Sequence, residues 1–152
     1  MELDFSTTVR APRESVFRVF IDFGNAAQRI EGIERIELLD EGPIRVGSKF
    51  RETRKMFGKE TTEEMTVSEL EENSRYLVTA DTCGAHFATE FLFADHTDRT
   101  RVDVSIVTKP YSLFAKLMSP LGKLMIGSMK KMMCADIDQL KAYCESEASA
   151  SS

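Results

Sequence analysis

Hydrophobic and polar positions alternate with a period of two at the start of the chain and again through most of its centre. Leu3, Phe5, Thr7 and Val9 alternate with polar neighbours, which predicts a strand with one buried face. Between residues 33 and 110, nearly every segment predicts a strand followed by a turn. The six strands predicted there span residues 33–40, 47–57, 59–70, 75–82, 86–94 and 100–109.

Helical spacing appears after the first strand and again at the end of the chain. It predicts a short helix over residues 12–22, with Pro12 in its first position, and a second over about residues 25–30. A long amphipathic helix is predicted over residues 112–144, with a restart or kink at Ser119-Pro120. Its apolar side carries Phe114, Met118, Leu121, Met125, Met129, Met132 and Leu140.

These elements define a fold class. Seven antiparallel strands and one long helix must bury the apolar side of the helix against a curved face of the sheet. The sequence therefore predicts an α+β fold, with two short helices between strands 1 and 2 and a single domain over residues 1–144. The tail over residues 145–152, ESEASASS, has no apolar stripe and is predicted to be disordered.

The hairpin between the strands 47–57 and 59–70 predicts which side chains face inward. A turn at Gly58-Lys59 is expected, because glycine suits the first position of a type II′ turn. Charged and apolar side chains then share one face. Since burying unpaired charge costs several kcal/mol, Glu52, Arg54 and Glu63 either pair with one another near the sheet rim or line a cavity. The inward pairs are Phe50 with Val67, Glu52 with Met65, Arg54 with Glu63, and Met56 with Thr61.

Apolar residues on the later strands and on the long helix could form the walls of such a cavity. Five of the eight methionines lie in that helix, and flexible thioethers adapt to ligands of irregular shape. The same side chains can equally fill a solid core. The candidate ligand-binding residues are Phe50, Glu52, Arg54, Met56, Glu63, Met65, Tyr76, Val78, Phe87, Thr89, Phe91, Val104, Ile106, Met118, Leu121, Met125 and Met129.

Composition argues against several classes of function. With 20 Lys and Arg against 25 Asp and Glu, the net charge of −5 argues against a nucleic-acid-binding surface. Neither an apolar run long enough to span a bilayer nor a secretory signal is present, so a cytoplasmic protein without stable membrane insertion is expected. Three cysteines without a C-x-x-C motif suit reduced thiols. Two histidines are too few for a zinc site, so neither a metal nor another cofactor is expected.

The order of elements and three segments of the sequence resemble the START-like superfamily. The segments are APRESVFRVFIDFGN at 11–25, GIERIELLDEGPIRVGSKFRETRKMFGKE at 32–60 and SLFAKLMSPLGKLM at 112–125. More narrowly, the chain is similar to the bacterial SRPBCC or polyketide cyclase/dehydrase-like group. The resemblance implies a helix-grip fold, in which the sheet wraps round the long helix and leaves a cavity for lipids, sterols, polyketides or plant hormones. It assigns no catalytic residue.

Three functions follow as hypotheses. The leading one is binding or transport of a hydrophobic small molecule, such as a lipid, a polyketide or an aromatic compound, by a monomer or homodimer. The second is a metal-free enzyme of the cyclase/dehydrase type, with Glu52 as general base, Arg54 stabilising an enolate, and Tyr76 or His86 as further donors. Arg54 is then expected to lower the pKa of Glu52. The third is membrane or partner binding through the helix lysines, which are Lys116, Lys123, Lys130, Lys131 and Lys141.

Overall fold

The computed structural model describes residues 2–56, 58–82, 84–112 and 119–151, and in these ranges the chain forms seven β-strands and three α-helices. A single 3₁₀ turn, Phe23–Asn25, lies between the first two helices. The helices are α1 (Arg13–Ile21), α2 (Ala26–Arg29) and α3 (Ser119–Ser151). The strands are β1 (Glu2–Val9), β2 (Ile33–Leu38), β3 (Lys49–Met56), β4 (Lys59–Glu71), β5 (Arg75–Thr82), β6 (Ala85–His96) and β7 (Arg99–Pro110).

All seven strands join in one antiparallel sheet with the order β1-β7-β6-β5-β4-β3-β2. The strands from β2 to β7 therefore form a meander. β1 pairs with β7 and forms one edge of the sheet. The sheet curves around α3, while α1 and α2 lie between β1 and β2 in sequence. This arrangement confirms the predicted fold class. The stretch 113–118 of the predicted long helix lies outside the described residues.

An aromatic cluster centred on Tyr76 fixes the short helices on the concave face of the sheet. The Tyr76 ring centroid lies 4.7 Å from that of Phe91, 5.8 Å from Phe93 and 5.7 Å from Phe23. Phe23 in turn stacks on Phe50 with a centroid separation of 4.4 Å. Each such pair contributes about 0.5–1.5 kcal/mol beyond the burial of its surface. The cluster therefore anchors the segment between α1 and α2 against β3, β5 and β6.

The turn between β3 and β4 differs from the predicted one. Met56 pairs with Lys59, so Gly58 is the second of the two residues between the strands, not the first. Its φ of +79° explains this position, because glycine adopts the left-handed region without a steric penalty. The predicted register is therefore wrong by two residues. Since side chains alternate with a period of two, the same residues still face inward.

The predicted disorder of the tail is also wrong, because α3 continues to Ser151. Two of its acidic side chains find partners, one of them far away in sequence. Glu145 Oε2 accepts a hydrogen bond from the backbone N–H of Arg10 at 2.9 Å, and Glu147 Oε1 accepts one from the Tyr143 hydroxyl at 2.8 Å. Ala148 packs against the core. No helix within the described ranges is long and apolar enough to cross a membrane.

Candidate ligand cavity

In the part of the chain that the structure describes, two hollow chambers lie between the sheet and α3. The methionine chamber, about 140 Å³, is bounded by Met129, Met132 and Met133 of α3 and by side chains such as Phe87 from the strands. The aromatic chamber, about 150 Å³, is bounded by the aromatic cluster together with residues of α2, β2 and α3. Each is about as large as an apolar cavity known to hold benzene. Six residues line both chambers, namely Glu52, Arg54, Met65, Val78, Thr89 and Met133.

Most of the candidate ligand-binding residues with described side chains line these chambers. Phe50, Glu52, Arg54, Glu63, Met65, Tyr76, Val78, Phe87, Thr89, Phe91, Ile106 and Met129 each line one or both. Val104 does not, because it is packed in the core with 2% of its surface exposed. Met118, and the side chains of Met56, Leu121 and Met125, lie outside the described part of the structure. That any of these residues contacts a ligand stays a prediction.

A charged triad connects the sheet to the helix where the chambers meet. Arg54 Nη1 donates to Oδ1 of Asp136 at 3.3 Å, and Nη2 donates to Oδ2 of Asp136 at 2.5 Å and to Oε1 of Glu52 at 3.0 Å. The three side chains are only 8–12% exposed. The charges therefore lie at a cavity and not at the sheet rim. The predicted pairing of Arg54 with Glu63 is wrong, because Arg54 lies opposite Thr61 in the observed register.

Asp136 is the member of this triad that the sequence reasoning missed. Asp136 is not among the predicted site residues, although its side chain is buried on the apolar side of α3. Its spacing in the sequence indicates the apolar side of the helix, since it lies four residues after Met132 and four before Leu140. An acid among such apolar positions indicates a buried partner. That partner, Arg54, is 82 residues away in sequence.

Gly32, in the turn before β2, packs against this triad. A Cβ atom added to Gly32 would lie 3.1 Å from Arg54 Nη1 and 3.6 Å from Asp136 Oδ1. A side chain at position 32 would therefore crowd the guanidinium group, whereas glycine lets the backbone pack directly against it.

Burial dominates the protonation of the carboxyl groups at the chambers. It raises the pKa of Glu52. Arg54 acts to lower this pKa, as expected, but its effect is smaller than that of burial. Burial likewise raises the pKa values of Asp136 and Glu63, again against the effect of Arg54. For Arg54 itself, burial acts to lower the pKa, but Glu52 and Asp136 together raise it. The guanidinium group is therefore charged, while burial makes the ionised forms of the acids around it less favourable than they are in water.

The other proposed donors are not free to act in the chambers. The Tyr76 hydroxyl donates to the backbone oxygen of Phe20 at 3.4 Å, and burial raises its pKa. His86 lies on the opposite face of β6 from Phe87, as its strand parity predicts, with 44% of its side chain exposed and its Nδ1 2.8 Å from Asp81 Oδ1. Within the described ranges, no three His, Cys, Asp or Glu side chains approach one another as metal ligands do.

Comparison with known proteins agrees with this architecture. Residues 2–145 match the family described as polyketide cyclase/dehydrase and lipid transport. The chain belongs to this family, within the START-like SRPBCC superfamily, as its sequence segments indicated. A search of curated proteins gave no match.

Solved structures share the fold at low sequence identity. Ara h 8.0201 is 17% identical with a TM-score of 0.77, covering 96% of this chain and 98% of its own. The Zhui aromatase/cyclase from Streptomyces sp. R1128 is 17% identical with a TM-score of 0.74, covering 95% and 93%. A START superfamily protein from Mycobacterium smegmatis is 15% identical with a TM-score of 0.71, covering 99% of each chain. These similarities establish the helix-grip fold, whereas the function has to be argued from the site.

Proposed function

We propose that this protein binds a hydrophobic small molecule in the chambers between the sheet and α3. The observation that carries the proposal is the pair of hollow spaces with largely apolar walls. Protein interiors are normally close-packed, so hollow spaces of this size lack packing contacts that a solid core would make. Folding alone gives no reason to keep two of them. A ligand that fills them recovers the lost contacts.

The dimensions of the chambers limit the size of the ligand. Together their volumes approach the lower end of the range for pockets that hold drug-sized molecules, about 300 Å³. A compound of one or two rings fits this space better than a long acyl chain. The family description, which includes lipid transport and polyketide cyclisation, agrees with an apolar ligand.

Filling the methionine chamber should weaken binding without disturbing the sheet. Ala80 on β5 lines this chamber, so Ala80→Leu places three additional carbon atoms in it. We expect the affinity for (2-naphthyl)methanol to fall by about tenfold or more. Binding can be followed by naphthyl fluorescence, because the chain contains no tryptophan.

Ala88→Leu is the matched control for this experiment. Ala88 lies on the neighbouring strand β6 opposite Thr79, and therefore on the other face of the sheet from Ala80. The control should bind the alcohol within about twofold of the unmodified protein. Equal affinities for the two variants, or no binding by the unmodified protein, would contradict the proposal.

A second candidate function is favoured by the chemistry of Glu52. Its carboxyl pKa is raised by burial, and Arg54 lies 3.0 Å away, so a base and an anion-stabilising cation stand together at the chambers. Proton abstraction beside a carbonyl, as in a cyclisation or dehydration, requires that combination. If the protein turns over a short poly-β-ketone thioester, Glu52→Gln should lower the rate by about a hundredfold or more. Unchanged turnover in that variant would exclude this role for Glu52.

The third hypothesis, docking of α3 on a membrane or partner, gains no support from the described part of the helix. Lys130 and Lys131 are exposed, but Ile137, Leu140 and Cys144 are buried in the fold. A surface-bound amphipathic helix needs its apolar side free to enter the lipid. Lys130 and Lys131 therefore lie on a solvated face.

A further inference from the structure

The charges that line the chambers indicate the chemical class of the ligand. Of the described residues at the chambers, three are acidic, namely Glu52, Glu63 and Asp136, and one is basic, Arg54. Acceptors of hydrogen bonds and negative charges therefore outnumber donors and positive charges. This balance favours a ligand that brings a donor or a positive charge.

Arg54 is already engaged by two acids of the protein. Its Nη1 atom donates to Asp136, and its Nη2 atom donates to both Asp136 and Glu52. A carboxylate or phosphate entering the chambers would compete with these acids for the guanidinium group and would meet the remaining carboxyl groups. An anionic ligand is therefore disfavoured.

Glu63 is the carboxyl group left open to the methionine chamber. Within the described part of the chain it forms no hydrogen bond and no ion pair, although burial raises its pKa. It lies directly opposite Glu52 in the β3–β4 register. Opposed residues of an antiparallel pair have Cβ atoms about 5 Å apart, so one cation can reach both carboxyl groups.

Folding alone does not account for this pair. Like charges directly opposite on neighbouring strands destabilise a sheet, and burial adds a desolvation penalty. A positive charge placed between Glu52 and Glu63 would remove both penalties. The neighbouring wall, with Phe87, Met129 and Met132, offers an aromatic ring and thioethers that pack well against another ring.

We propose that the ligand is a small aromatic amine, with its ammonium group held between Glu63 and Glu52 and its ring packed against Phe87, Met129 and Met132. This inference rests on the proposed binding function. It adds to that function the charge of the ligand, its size and its orientation in the methionine chamber.

Three probes that share a naphthyl group test the inference on the unmodified protein. These are (2-naphthyl)methylamine, (2-naphthyl)methanol and 2-naphthoate, which are cationic, neutral and anionic near neutral pH. Titration followed by naphthyl fluorescence should give an affinity for the amine about tenfold or more above that for the alcohol. The naphthoate should bind most weakly.

Glu63→Gln should remove this preference. We expect the affinity for the amine to fall by about tenfold and that for the alcohol, which reports whether the chamber is intact, to change much less. The matched control is Glu64→Gln on the same strand, whose side chain is on the opposite face and lies 4.0 Å from Lys49. This control should keep the full preference for the amine.

The possible outcomes separate this inference from the proposed function. If the alcohol binds and Ala80→Leu blocks it, but the amine binds no more tightly, the inference is overturned and the binding function stands. If the preference for the amine survives Glu63→Gln, the assignment to Glu63 is overturned. If no probe binds the unmodified protein, both proposals fail.

Discussion

Replacing Asp136 with alanine is expected to lower the free energy of unfolding by about 3 kcal/mol or more. Asp136 accepts hydrogen bonds from both terminal nitrogens of Arg54, in a site where both side chains are about nine-tenths buried. Among the described residues, its removal leaves Glu52 as the hydrogen-bond partner of the guanidinium group. Asp138→Ala, an exposed acid two residues further along α3, should change stability by no more than about 0.5 kcal/mol. Urea denaturation measures both variants.

A double substitution distinguishes loss of the ion pair from loss of packing. Arg54→Met with Asp136→Leu removes both charges and keeps apolar volume at the junction of the chambers. Since a buried ion pair can often be replaced by apolar residues at little cost, the double variant should be less destabilised than the sum of its single variants. Equal stability of Asp136→Ala and Asp138→Ala would show that the triad does not hold α3 on the sheet.

The free energy of unfolding is also expected to fall as the pH rises through the raised pKa values of the chamber acids. Burial raises the folded-state pKa values of Glu52 and Glu63 from the ordinary 4.5, and that of Asp136 from 3.8, although Arg54 opposes each shift. The folded state thus keeps protons that the unfolded state has released. The resulting stability is fully present below the ordinary pKa values and is lost as the pH rises through the folded-state values.

Glu145 acts in the opposite direction. The backbone N–H of Arg10 lowers its pKa below 4.5, so its contribution is lost as the pH falls through the lowered value. The two effects occupy different ranges of pH. Glu145 governs the acid side, while the chamber acids govern the range above it.

Glu52→Gln should therefore stabilise the protein at neutral pH, by about 1 kcal/mol, and flatten the decline towards higher pH. The amide still accepts a hydrogen bond from Arg54 but carries no charge into the chambers. Urea denaturation between about pH 4 and about pH 8 measures both effects. A destabilised variant, or an unchanged slope, would mean that Glu52 is held in its charged form by Arg54.

Much of the fold could be predicted because strand patterns are local. Period-two alternation identified the seven strands and assigned Glu52, Arg54 and Phe87 to the inward face without knowledge of the register. The register itself depended on which turn position Gly58 takes, and glycine is compatible with both. The helical tail could not be predicted, because contacts such as that of Glu145 with Arg10 are made only in the folded state.

The site was harder to predict for two physical reasons. The distance between a helix and a sheet decides whether apolar side chains leave a hollow or a solid core, and side-chain pattern does not determine that distance. The sign of the pKa shift of Glu52 depends on how far burial outweighs a neighbouring cation. Both quantities depend on the folded structure as a whole.

The central claim is that two hollow chambers lie on either side of the Arg54 triad. A crystal structure of the protein under xenon pressure tests it most directly, because xenon enters apolar cavities of this size. We expect one xenon site among Phe23, Phe50 and Tyr76 and a second beside Phe87 and Met129. Side chains that fill both spaces, with no xenon between the sheet and α3, would contradict the claim.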